Sequence, residues 1–202
     1  MNLAKRLTGR RNRSQCPNHS STEQRDTGQL EVTGRADAHA EYMSWVATTV
    51  GEHGWAISGR HGDRSAPPWA YSVGMWLASQ ATELIVCGLP VENGASIINT
   101  IGARISGGTD FTADDVVTDV CPAALTFRPV HVSWRDGRLF PASDAFYGMV
   151  RPPYLQVVWS DKEGRFPGEA GFSAAFDPMQ PLLWLPRDDN PPSPWTRLVQ
   201  TG

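Results

Sequence analysis

Apolar side chains along this 202-residue chain recur at two different periods, and the switches between them mark out its elements. Tyr42, Trp45, Val46 and Thr49 fall at i, i+3, i+4 and i+7, one face of a helix. Asp37 is placed to cap its start and Gly51 to end it. Trp55-Ala-Ile-Ser58 is a short strand candidate, and the polar, proline-punctuated run Arg60–Pro68 is a loop. Trp69–Gly74 and Glu83–Pro90 read as strands. The second has the unbroken apolar centre of a strand covered on both faces. Ile97, Ile98, Ile101 and Ile105 return to one side of a helix that Gly107 and Gly108 close.

Leu125–Trp134 alternates on either side of Pro129, the mark of an edge strand or a bulge. Asp136-Gly137 is a hairpin signal, and residues 143–150 form a short helix or turn. Tyr154–Trp159 is a further strand, stopped by Ser160-Asp-Lys-Glu-Gly164. Residues 186–194 carry too many prolines for a packed element and read as tail. The expected organisation has three parts: a disordered basic arm over residues 1–36, a single domain over 37–186, and a proline-rich tail over 187–202. The domain is of α+β class, a mixed but mainly antiparallel sheet packed by two or three helices.

Composition and charge narrow the picture. The chain is 40% hydrophobic with 8 Trp, which a folded core requires. Residues 1–40 carry 7 Lys and Arg against 4 Asp and Glu, while residues 41–202 carry 11 against 17. The folded part is therefore acidic and a poor general partner for nucleic acid, despite the basic cluster Lys5, Arg6, Arg10, Arg11 and Arg13. That cluster reads either as a solvated tail or as a contact for RNA, DNA or an acidic protein. Three widely spaced cysteines, Cys16, Cys87 and Cys121, give no disulfide framework and fit a reducing cytoplasm. No run is long and apolar enough for a membrane span. The polar stretch from Asn12 to Gln29 lacks the apolar middle of a secretion signal.

Motifs for metal, nucleotide and nucleophilic chemistry are weak. The five histidines form no HExxH or HxH pattern, and Cys16-Pro-Asn-His19 is half of a zinc site without a second half. A site assembled in space from His53, His61 and His131 stays open, but neither metal nor cofactor is expected. There is no GxxxxGK[ST] loop and no GxGxxG after a strand. Ser72 stands outside a GxSxG elbow, and the apolar neighbours of Cys87 suit an inert core thiol.

Four segments in order carry a resemblance. They are His53-Gly-Trp55, Trp69-Ala-Tyr-Ser-Val-Gly-Met75, Glu83-Leu-Ile-Val-Cys-Gly-Leu-Pro90 and Gln156-Val-Val-Trp-Ser-Asp-Lys-Glu-Gly-Arg-Phe-Pro167, with Gln180-Pro-Leu-Leu183 after them. Together they resemble the bacterial domain-of-unknown-function family numbered 4262, over about residues 40–185. Thr82 and Gly168 depart from its pattern, where Pro and Trp are common. The resemblance implies a fold class and no established activity.

Two functions are expected from the residues. The first is a metal-independent enzyme or ligand-binding domain acting on a peptide or small metabolite. In it His53, His61 or His131 is the proton carrier beside Tyr71, since histidine titrates near neutrality. Trp69, Ser72, Glu83, Gln156, Trp159 and Asp161 would form the substrate pocket, polar groups between aromatic walls. Those same side chains serve equally well as partners for buried main chain. The second is a non-catalytic interaction module, an immunity or accessory protein, whose exposed Trp69, Trp76 or Trp134 would meet a protein partner.

Overall fold

The computed structural model describes the backbone over residues 23–135 and 138–200, with side chains over 35–135 and 138–198. Most of the expected basic arm and the Asp136-Gly137 turn lie outside the described residues. The chain divides into two compact units, Met1–Ala40 and Glu41–Gly202. In the first, the described residues belong to helix α1 (Glu23–His53), and residues 35–40 are exposed. The helix thus begins well before Asp37, which lies inside it rather than capping it. No proline falls between Glu23 and His53, so nothing in this polar stretch forces a break in the helix.

The second unit is an α+β domain. From Glu41 to His53 it is helical, and the buried positions there are Val46 and Val50. Tyr42 and Trp45, expected on the inner face, are 37% and 48% exposed and stack on each other with ring centroids 5.7 Å apart. The helix runs past Gly51 to His53 and ends at Gly54, whose φ of 87° suits only glycine well.

Six strands follow: β1 (Ala56–Arg60), β2 (Trp69–Val73), β3 (Glu83–Cys87), β4 (Val116–Val117), β5 (Leu125–Pro129) and β6 (Tyr154–Trp159). They form one sheet in the order β1-β2-β3-β6-β5-β4. Neighbours are antiparallel except for β3 and β6, which run parallel in the register Ile85 to Gln156. Parallel neighbours need a crossover, and the long connection between β3 and β6 supplies it. That connection begins with α3 (Val91–Ser106).

Alternation along the central strands feeds two cores, one on each side of the sheet. Trp69, Tyr71, Ile85 and Tyr154 point to one side, where Val46, Phe140 and Trp195 meet them. Ala70, Leu84, Val86 and Val157 point to the other, where Ile97, Ile98 and Ile101 of α3 cover them. This double cover is why Glu83–Cys87 reads as an unbroken apolar run.

Two short helices were invisible or blurred in the periodicity. Helix α2 (Met75–Ser79) is a five-residue turn after β2, too short to show a helical period. Helix α4 (Pro141–Tyr147) opens on a proline at its first position, where the missing N–H costs nothing. The proline-rich end is the largest departure from expectation. It contains α5 (Pro194–Gln200), and Trp195 has no exposed surface and stacks edge-on against Trp69 at 5.6 Å. The last stretch of the chain is therefore part of the core. Upstream of it, residues 179–183 cross the sheet so closely that a Cβ on Gly88 would lie 2.5 Å from the Met179 carbonyl oxygen. That approach is one that only glycine permits.

Candidate functional site

Most of the pocket residues expected from the sequence lie inside the domain, each with its hydrogen bonds met. Tyr71, Ser72, Glu83 and Gln156 are at most 1% exposed. The structure joins two of them directly. The Ser72 hydroxyl donates to Glu83 Oε2 at 2.5 Å and accepts from the Leu84 amide at 2.8 Å. Glu83 Oε1 accepts from the Tyr147 hydroxyl at 2.5 Å, the Gly74 amide at 2.8 Å and the Trp76 amide at 3.2 Å. Burial, and next the negative charge of Glu83, push the Tyr147 phenol well up, so it meets the carboxylate as a neutral donor. One carboxylate thereby holds together β2, β3, α2 and α4.

Tyr71 points elsewhere. Its hydroxyl accepts from the Ala142 amide at 3.0 Å, and burial raises its pKa to about 12. Gln156 acts as main chain would, accepting from Leu183 N at 3.1 Å and donating to the Pro181 carbonyl at 2.9 Å. Gln180 does the same for both main-chain groups of Trp159. The Trp159 indole donates to the Cys87 carbonyl and the Trp69 indole to the Leu139 carbonyl. Asp161 closes a turn, accepting from the amides of Glu163, Arg165 and Ser173 and from the Arg165 guanidinium. Burial acts to raise its pKa, but the hydrogen bonds from Arg165 and Glu163 outweigh it and hold the carboxyl below the usual range.

The three histidines stand apart from this network. His53 ends α1 with its ring largely exposed, 3.8 Å from Glu52. His61 is exposed in the loop after β1. His131 uses Nδ1 within its own turn, accepting from the Ser133 amide at 3.2 Å. None of them lines a cavity described below. Among the described residues no cluster of three or more His, Cys, Asp or Glu side chains is placed to hold a metal. Cys87 is buried, which pushes its thiol up and leaves it unreactive at neutral pH. Trp69 and Trp134, expected on an interaction surface, are both in the core, and Trp76 is half-buried.

What the domain does present to solvent is a cleft of arginines. A cavity of about 700 Å³ is lined by Arg60, Arg64, Arg138 and Arg197, with Ser65 and Pro141 among the remaining wall. Arg60 ends β1, Arg64 lies on the loop that follows, Arg138 precedes α4, and Arg197 comes from α5. Asp63 organises the loop. Its Oδ1 accepts from the Ser65 hydroxyl and the Ser65 and Ala66 amides, and its Oδ2 takes Arg60 at 2.6 Å. Those bonds, the Ser65 hydroxyl first, hold the Asp63 carboxyl far below its ordinary pKa. Arg60 also lies over the Trp69 ring at 5.5 Å, a cation–π contact that fixes the guanidinium. Arg138 donates to the Leu198 carbonyl at 3.3 Å, tying the segment before α4 to α5.

Five arginines elsewhere on the domain are matched by acids. Arg104, Arg128, Arg151, Arg165 and Arg187 each lie within ion-pair distance of a carboxylate. Arg135 lies instead over the Phe140 and Tyr154 rings, and among the described residues Arg64 and Arg197 of the cleft likewise have no carboxylate within ion-pair distance. Four of the 11 basic residues after residue 40 thus face one cavity, in a domain where acids outnumber bases.

A family model described as a domain of unknown function (DUF4262) matches residues 49–173. The chain belongs to the DUF4262 family. No curated protein and no solved structure matched in the corresponding comparisons. The DUF4262 match takes in Arg60, Arg64 and Arg138 and stops short of Arg197 and Trp195, so α5 lies beyond the matched segment. Sequence reasoning passed over the four arginines because they are scattered between residues 60 and 197 with no spacing to link them. The one available signal was Arg64 itself, a cation in a proline-punctuated loop with a single neighbouring acid.

Proposed function

We propose that this DUF4262 domain binds an anionic small molecule in the arginine cleft. The observation that carries the reading is Arg60, Arg64, Arg138 and Arg197 around one cavity, with Arg64 and Arg197 matched to no carboxylate among the described residues. Arg64 and Arg197 bring positive charge that no carboxylate offsets, and an anion with several acceptor oxygens meets such groups through charge-assisted, bidentate bonds. A volume of about 700 Å³ falls within the range of small-molecule sites. The Asp63-centred loop and the Arg60–Trp69 contact hold part of the cleft in place before a ligand arrives, which lowers the ordering cost of binding.

The reading is of a binding domain, and it assigns no bond-making step. A proton-transfer role for His53, His61 or His131 beside Tyr71 has less support. Tyr71 is enclosed, and no histidine lines the cleft. Isothermal titration calorimetry of the full chain with inorganic pyrophosphate at low salt tests the proposal. Binding is expected to weaken at least 10-fold in the Arg64→Gln/Arg197→Gln double variant and to fall steeply with added salt. Absence of any binding heat for pyrophosphate and for citrate would rule the reading out.

A further inference from the structure

Resting on that anion-binding reading, we propose that the ligand is a ring-bearing phosphomonoester, with its phosphoryl group among the arginines and its ring in an adjoining recess. A second cavity of about 190 Å³ shares Arg60, Arg138 and Pro141 with the arginine cleft, so the two open onto common walls. Its remaining walls are Ser58, Gly59, Trp69 and Tyr71, with no carboxylate. At roughly 30 Å³ for each water-sized group, the recess has room for about six, the size of a single ring.

The chemistry of the two parts differs. One guanidinium satisfies a carboxylate through two parallel bonds. Arg64 and Arg197 together, with Arg60 and Arg138 beside them, suit a group with more oxygens and more charge, and a phosphoryl monoester carries about −1.5 to −2 near neutral pH with three acceptor oxygens. The recess is uncharged apart from the arginines at its mouth. Its aromatic side chains are already oriented by other contacts: the Trp69 indole donates to the Leu139 carbonyl, and Tyr71 accepts from the Ala142 amide. The Ser58 hydroxyl accepts from Tyr42 at 2.8 Å and is itself hydrogen-bonded to the Tyr71 side chain, so it too is held in place. A compact ring meets the edges of Trp69 and Tyr71 there, with Arg60 and Arg138 beside it to hold the phosphoryl group.

The test is calorimetric titration of the full chain with phenyl phosphate, ribose 5-phosphate, methyl phosphate, inorganic phosphate, citrate and benzoate. At least one of the two ring phosphates is expected to bind at least 10-fold more tightly than methyl phosphate, inorganic phosphate or benzoate. Which of the two is tighter tells a flat apolar ring from a hydroxylated one. The Arg64→Gln/Arg197→Gln variant, altered only at exposed side chains, is expected to weaken methyl and ring phosphates by the same factor. Equal affinity for inorganic phosphate, citrate and the ring phosphates would overturn the two-part ligand and leave the anion site standing. No binding of any of the six, with wild type and variant alike, would overturn both.

Discussion

A carboxylate with no exposed surface is tolerated only when its lone pairs are met, and Glu83 meets that condition with two hydroxyls and two main-chain amides. Glu83→Gln keeps the shape but replaces one carboxylate oxygen with an NH2, so one acceptor is lost to a set of two main-chain amides and two hydroxyls that all donate to the native side chain. We expect it to cost about 1–3 kcal/mol, read as a lower urea midpoint with an unchanged m-value. Gly74 supports the same junction. Its φ of 118° and the 2.7 Å that would separate a Cβ from Val50 leave no room for a side chain. Gly74→Ala is expected to destabilise by more than about 1 kcal/mol in the same urea titration. Neither role was legible in the sequence. Glu83 opens a strand, where a charged residue ordinarily marks the solvent edge, and its partner Tyr147 lies 64 positions away.

Among the elements, the legible ones are those whose period repeats often enough to be read. The isoleucine stripe of α3 and the alternation in β2, β5 and β6 are of this kind, because one buried face imposes the spacing. Helix α2 completes barely one turn and leaves no period. Helix α5 was hidden by its surroundings. Pro186, Pro191 and Pro192 argue against regular structure, yet Pro194 occupies a helix's first position, where proline is at home. Leu182, Leu183, Trp184 and Trp195 were the contrary signal, too much apolar area for a solvated tail. Trp195→Ala removes a fully buried indole and the hydrogen bond to the Pro178 carbonyl. It should lower stability by about 3–5 kcal/mol, measured by chemical denaturation. A change near zero would mean that residues 178–200 do not contribute to the folded unit.

On the scale of the whole molecule, charge is unevenly placed. Acidic groups are spread over the surface, some of them in ion pairs, while the arginine cleft concentrates positive potential, which draws in anions and weakens with salt. Acid sensitivity follows from the turn carboxylate. Asp161 has a folded-state pKa below its unfolded value, so its contribution is full above the ordinary aspartate range, about 4. It is lost as pH falls through the depressed value. Thermal melts between pH 7 and pH 2.5 should therefore show a falling midpoint below about pH 4. Asp161→Asn should melt lower at pH 7 and show a flatter acid limb, and an unchanged acid limb would place the sensitivity elsewhere.

The sequence by itself determined the class of the fold, most of its strands, the amphipathic α3 and the family, because each depends on local period or on a short run of residues. Only the tertiary structure decided the topology and the fate of the polar motif residues. Ser72, Gln156 and Asp161 looked like pocket groups and proved to be partners for main chain that other segments bring to them. The arginine cleft is the converse case. Its four cations come from β1 and the loop after it, the segment before α4, and α5, and nothing local joins these three stretches until the domain is packed.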